Sequence, residues 1–264
     1  MLRRPRGRER LIVAADVRDL DAARRLLDLL GDQVDWFKVG LELFTAIGPR
    51  AVELFAEAGK RVFLDLKFHD IPNTVAGAAR SAAGLGAAMF NVHAHGGLTM
   101  MRAAVEAIAG LDESDRPLVI GVTVLTSLDQ AGLEEVGVAR PLDHQVLALA
   151  ALTRRAGLDG IVASPREAAA IKASEGPGFL TVTPGVRPAW SGGSPKGGPG
   201  GAGSGGPNSD DQRRVLTPGD AVQAGSDYLV VGRPITGAAD PPKAAALIIE
   251  EIIAVERAAG EGEP

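Results

Sequence analysis

Cysteine is missing from all 264 residues. Its absence excludes disulfides, thiolate nucleophiles, iron–sulfur clusters and cysteine-based zinc sites. Aromatic residues make up only 4%, too few for the stacking platforms that hold single-stranded nucleic acid. A net charge of −5 argues in the same direction, because a polyanion-binding domain needs a basic surplus. No long hydrophobic run is present. The segment LIVAA at 11–15 is too short for a membrane span or a secretory core. We therefore expect a cytoplasmic protein with neither nucleic-acid nor membrane partners. The four histidines, His69, His93, His95 and His144, show no recognisable metal spacing. His93 and His95 share a strand face, but no HExxH-type helix or carboxylate partner stands beside them, so no metal is expected.

What remains is ordinary for a globular chain: 45% hydrophobic and 23% charged residues. Short β-rich runs alternate with longer Ala/Leu-rich segments. Strands are predicted at 11–16, 34–40, 61–66, 87–93, 118–125, 160–164, 179–184 and 227–232. Helices are predicted at 19–30, with Asp19 as cap, and at 49–58, where Pro49 suits a first turn. Further helical patterns cover 74–85, 97–109, 143–156, 165–173, 217–224 and 241–257. Eight strands each followed by a helix make an α/β chain with a single (β/α)8 TIM barrel over residues 11–257. An open doubly wound sheet is disfavoured, because AADVRDL follows the first strand where a Gly-rich dinucleotide turn would stand. The basic MLRRPRGRER at 1–10 is expected to be a mostly disordered lead-in, and 258–264 a flexible tail. The run SGGSPKGGPGGAGSGGPNS at 191–209 cannot bury apolar surface and is expected to be a flexible loop after the seventh strand.

The richest stretch is FLDLKFHDIPNT at 63–74. It places Asp65, Lys67 and Asp70 at the end of an apolar run, and strand alternation puts Asp65 and Lys67 on one face. Buried charges of this kind are costly unless paired. The other strands also end in polar residues: Asp16, Lys38, Asn91 and His93, Thr123 and Thr126, Ser164, Pro184 with Arg187, and Gly232 with Arg233. In a barrel these ends converge on one rim, where active sites sit. Lysines flanked by carboxylates stay protonated. They are poor Schiff-base nucleophiles but good proton donors to a developing carbanion. Arg187 and Arg233, after strands seven and eight, have the form of a dianion clamp.

Taken together, AADV with Asp16, FKVG with Lys38, LDLKFHDIPNT, VTVLTS with Thr126, TPGVRP, DDQRR with Gln212, and LVVGRPI resemble the orotidine 5′-phosphate decarboxylase family over residues 11–257. The resemblance implies a homodimer with shared active sites and no cofactor. It implies conversion of orotidine 5′-phosphate to UMP and carbon dioxide, the last step of pyrimidine nucleotide synthesis. Lys67 would donate the proton to the carbon that loses carbon dioxide, and Asp65 would face the substrate carboxylate. Asp70 would come from the partner subunit, with Ile71 and Thr74 on the same loop. Lys38 and Asp16 would bind ribose hydroxyls, and Thr126 the pyrimidine edge. Pro184, Arg187, Gln212, Gly232 and Arg233 would line the phosphate side. The long glycine run departs from the family pattern and leaves the distance of Gln212 from the barrel unfixed. Related phosphosugar enzymes share D-x-K-x-x-D but hold magnesium through an acidic residue at the end of strand two, where this chain has Lys38. A barrel that senses a phosphate ligand without catalysis is opposed by the complete set of charged positions.

Overall fold

The structure, a computed structural model, describes residues 4–191 and 216–260. Eight parallel strands close into a barrel in sequence order, with β8 hydrogen-bonded to β1. They are β1 (Leu11–Ala14), β2 (Trp36–Gly40), β3 (Arg61–Phe68), β4 (Met89–His93), β5 (Leu118–Val122), β6 (Gly160–Val162), β7 (Leu180–Thr183) and β8 (Tyr228–Val231). The expected TIM barrel is therefore present, and each strand lies within or beside its predicted run.

Parallel strands in such a barrel are buried on both faces, so they are apolar nearly throughout. Alternation sorts their side chains into two cores. Ile12, Trp36, Phe63, Met89, Ile120, Leu180 and Tyr228 pack inside the barrel. Val13, Phe37, Leu64, Phe90 and Leu229 face outward against the helices. Trp36 and Tyr228 meet edge to face, 5.4 Å between centroids, within the interior. Two residues further on, the inward positions of β2, β3 and β4 become Lys38, Asp65 and Asn91. The apolar interior thus floors a polar rim.

The helices are α1 (Leu20–Leu30), α2 (Leu41–Ile47), α3 (Arg50–Glu57), α4 (Pro72–Gly84), α5 (Gly97–Glu106), α6 (Gln130–Glu135), α7 (Leu142–Arg155), α8 (Ala168–Glu175), α9 (Pro218–Gln223), α10 (Arg233–Thr236) and α11 (Pro241–Gly260). Asp19 caps α1 as expected, accepting the Ala22 N–H at 2.8 Å. Ala23, Leu26 and Leu30 form its buried stripe.

Two expectations change. Residues 4–10 are packed rather than disordered. Arg10 is buried, with its Nε 2.5 Å from Glu256 and its Nη1 donating to the Ser226 carbonyl. Arg4 pairs with the fully buried Asp227 at 2.7 Å, and Arg8 with Asp35 at 3.0 Å. The basic run is a set of counter-ions for carboxylates that lie far along the chain. At the other end, α11 runs through Gly260, so residues 258–260 are helical rather than tail. Of the glycine-rich stretch only Ser191 is described; the remainder of 191–209 lies outside the described residues, as does Gln212. Val186 and Leu216 bridge on either side of it, with the Arg187 N–H donating to the Leu216 carbonyl at 2.9 Å.

Candidate active site

A cavity of about 470 Å3 opens at the carboxyl ends of the strands, within the range of small-molecule sites, about 300–1,000 Å3. Asp16, Lys38, Asp65, Lys67, Thr126, Pro184, Arg187, Gly232 and Arg233 line it. Nine of the expected positions therefore meet at one place, although they come from six strands and the loops that follow them.

Its centre is an alternating row of charges. Lys38 Nζ lies 2.7 Å from Asp16 Oδ1 and 3.7 Å from Asp65 Oδ2. Lys67 Nζ lies 2.7 Å from Asp65 Oδ1. Asp65 thus bridges both lysines with different oxygens. The Lys38 side chain is 10% exposed and that of Asp65 15%, so the pairing takes place in a poorly screened setting. Burial by itself pushes the Asp65 carboxyl up. The Lys38 and Lys67 ammonium groups, with hydrogen bonds from Lys67 and Asn91, more than offset this and hold it below the ordinary carboxylate value.

The local backbone departs from a flat strand. Leu64 pairs with Phe90 and Phe68 with Val92, so four steps along β3 match two along β4. Within that bulge Lys67 takes φ 52°, the one left-handed non-glycine residue among those described. Bulges re-aim side chains near active sites. Here Asp65 and Lys67 meet through the bulge, not by simple alternation.

Asp70, Ile71 and Thr74 do not join the cavity. They stand exposed between β3 and the first turn of α4. The Asp70 carboxylate accepts the Ile71 N–H at 2.6 Å and forms no ion pair among the described residues. Ile71 is 67% exposed. The carboxylate that ends the charge row within one chain is Asp16.

Other residues at or beside the site were given no role from sequence. Gly40 lies in FKVG, but its role shows only in three dimensions. A Cβ there would fall 2.6 Å from Lys38 Nζ and 3.2 Å from Asp16 Oδ1. Phe63, Glu42 and Ser127 also line the cavity. His69 stacks on His93 beside the rim, with ring centroids 5.2 Å apart, and His95 lies tilted against His93 at 5.1 Å. Burial, then the neighbouring His95, His69 and Lys67, push the His93 imidazole down to about 4. No group of three histidine, aspartate or glutamate side chains among the described residues is disposed to hold a metal ion.

A closed parallel barrel with a charged cavity at the carboxyl ends of its strands defines a (β/α)8-barrel enzyme. A family model described as orotidine 5′-phosphate decarboxylase / HUMPS family matches residues 9–248. The chain belongs to that family. It is 52% identical over 253 residues to the orotidine 5′-phosphate decarboxylase of Moorella thermoacetica, covering 94% of each chain. It is 51% identical over 245 residues to that of Alkalilimnicola ehrlichii, covering 93% of this chain and 97% of the relative. The crystal structure of orotidine 5′-phosphate decarboxylase from Lactobacillus acidophilus superposes with a TM-score of 0.77 at 36% identity, covering 95% of this chain and 99% of the other.

Proposed function

We propose that the chain decarboxylates orotidine 5′-phosphate to UMP and carbon dioxide, the final step of pyrimidine nucleotide synthesis. The observation that carries this reading is the ion-paired row Asp16–Lys38–Asp65–Lys67, whose two central members Lys38 and Asp65 are largely buried, in a chain 52% identical to a named decarboxylase. An ammonium at the end of β2 also separates it from the magnesium-dependent phosphosugar branch, since Lys38 repels a divalent cation at that corner.

The chemistry follows from the charges. The bond from the pyrimidine ring to its carboxylate breaks, carbon dioxide leaves, and the electron pair stays on a ring carbon with no electron sink. Stabilisation must then be electrostatic and preorganised. Lys67 supplies a fixed ammonium beside that carbon and gives it a proton. Asp65 sits against the substrate carboxylate and pairs with both lysines. Asp16 and Lys38 take the ribose hydroxyls, Thr126 the pyrimidine edge. Arg187 and Arg233, with the turns at Pro184 and Gly232, take the phosphate. Gln212 is assigned to the phosphate side by the family resemblance alone. Phosphate binding away from the reacting carbon helps to order the site.

The active unit is a homodimer in which Asp70, Ile71 and Thr74 cross to the partner's cavity. It works in the cytoplasm without metal or organic cofactor. Among the described residues no helix is long and apolar enough to cross a membrane. The direct test is to add orotidine 5′-phosphate to the pure protein and follow pyrimidine absorbance. Conversion to UMP that survives exhaustive chelation is expected. No conversion refutes the activity; a loss restored by magnesium places the chain in the phosphosugar branch.

A further inference from the structure

We infer that Asn91 is the positioning residue of the Asp65–Lys67 pair, fixing the backbone of one and the carboxylate of the other through a single side-chain amide. The inference rests on the decarboxylase reading and adds a residue to it. Asn91 stands on β4, two residues beyond Met89 of the barrel interior, and is fully buried. A primary amide in such a place is costly unless both its ends are bonded. Both are. Its Oδ1 accepts the Lys67 backbone N–H at 2.8 Å, and its Nδ2 donates to Asp65 Oδ1 at 2.7 Å. The same Asp65 oxygen accepts Lys67 Nζ at 2.7 Å. Asn91, Asp65 and Lys67 therefore form a closed ring of three hydrogen bonds.

The bulge explains why the ring is needed. Between the Leu64–Phe90 and Phe68–Val92 pairs, β3 leaves the β4 ladder, and the side chain of Asn91 gives the Lys67 N–H its acceptor. A non-glycine residue holds a left-handed backbone only when its surroundings enforce it. Lys67, at φ 52°, is so held. Donor and acceptor must lie in one rigid plane about one carbon, which an amide provides. Leucine provides neither, and an ionised aspartate would set a second carboxylate against Asp65. A neutral carboxylic acid does provide both, with its hydroxyl donating to Asp65 and its carbonyl accepting the Lys67 N–H.

The test uses Asn91→Ala and Asn91→Asp, assayed with orotidine 5′-phosphate across pH and titrated with UMP. Asn91→Ala should lower kcat by about 10²-fold, the scale of a misplaced reacting group, with UMP affinity near parental because the phosphate ligands lie elsewhere. The acid limb of its rate profile should move to higher pH, since Asp65 loses one of the bonds that favour its charged form. Asn91→Asp should be poor at neutral pH and regain activity relative to Asn91→Ala as pH falls and the new carboxyl takes up a proton. If Asn91→Ala fails to fold, the acid recovery of Asn91→Asp decides alone. A parental kcat, or parallel losses of kcat and UMP affinity with an unmoved acid limb and no acid recovery, overturns the assignment. An inactive parent overturns the decarboxylase reading together with it.

Discussion

Lys67 and Arg233 line one cavity but should fail in different ways. Lys67 is bonded to Asp65 and stands at the reacting carbon in the proposed reaction. Lys67→Ala should lower kcat by several powers of ten, because a positioned proton donor alone is worth about 10²–10⁴ and the charge row is broken as well. Arg233 opens α10 directly after β8. Arg233→Ala should chiefly raise KM, with a smaller loss in kcat. The phosphate-free nucleoside should be a poor substrate for the parent and hardly worse for Arg233→Ala. Equal harm to nucleoside and nucleotide would make Arg233 structural. His93 gives a prediction about stability. Its unfolded value is 6.5 and its folded value about 4. Between those limits the unfolded chain binds a proton that the folded chain refuses, so stability is present above 6.5 and drains away as pH falls toward 4. His93→Gln should lose less thermal stability than the parent over that window. An equal slope in thermal unfolding would show that the stacked imidazole is not buried in solution.

At the scale of elements, the eight strands were legible because parallel barrel strands are continuous apolar runs ending in polar residues. The short helices were not. α2 follows β2 with no turn between them, since Gly40 ends one and Leu41 begins the other. α10 has four residues, too few for any period to show. The bulge in β3 was hidden for a different reason: Asn91, whose side chain accepts the Lys67 N–H within it, lies on another strand. The packed N-terminal segment was hidden likewise, because Arg4 and Arg10 meet their carboxylates 223 and 246 residues away. Asp227 is the hub of that end of the barrel. Its carboxylate accepts from Arg4 at 2.7 Å, from Lys172 at 2.5 Å and from the Thr181 N–H at 2.9 Å. Asp227→Ala would leave the largely buried Lys172 ammonium and the buried Thr181 N–H without their carboxylate acceptor, at a cost of about 3–5 kcal/mol. A fall of that size in urea-unfolding free energy is expected, with KM unchanged in the molecules that remain folded. Asp227 precedes β8, whereas Gly232 and Arg233 follow it at the opposite end. A change below about 1 kcal/mol, the size of an exposed ion pair, would mean that the cluster is solvated.

At the scale of the whole molecule, the proposed site residues that are described divide into two groups that a single chain does not unite. Nine line the cavity, whereas Asp70 and Ile71 in the β3–α4 connection and Thr74 in the first turn of α4 are exposed to solvent. An isoleucine 67% exposed beside a carboxylate without an ion pair among the described residues suits a loop that another surface covers. In a two-fold dimer the same loop of each subunit reaches the other, so every site would take Lys67 from one chain and Asp70 from its partner. This arrangement has a sharp consequence. Lys67→Ala and Asp70→Ala homodimers each carry two damaged sites. After subunit exchange, a hybrid dimer carries one site with both residues intact and one with both lost. Random mixing of equal amounts makes half the dimers hybrid, so roughly a quarter of all sites become parental. Activity of the mixture should rise toward that fraction from two nearly inactive parents, with the time course of exchange. If mass spectrometry of tagged subunits shows that hybrids have formed and activity stays at the parental-mutant level, Asp70 works within its own chain or not at all.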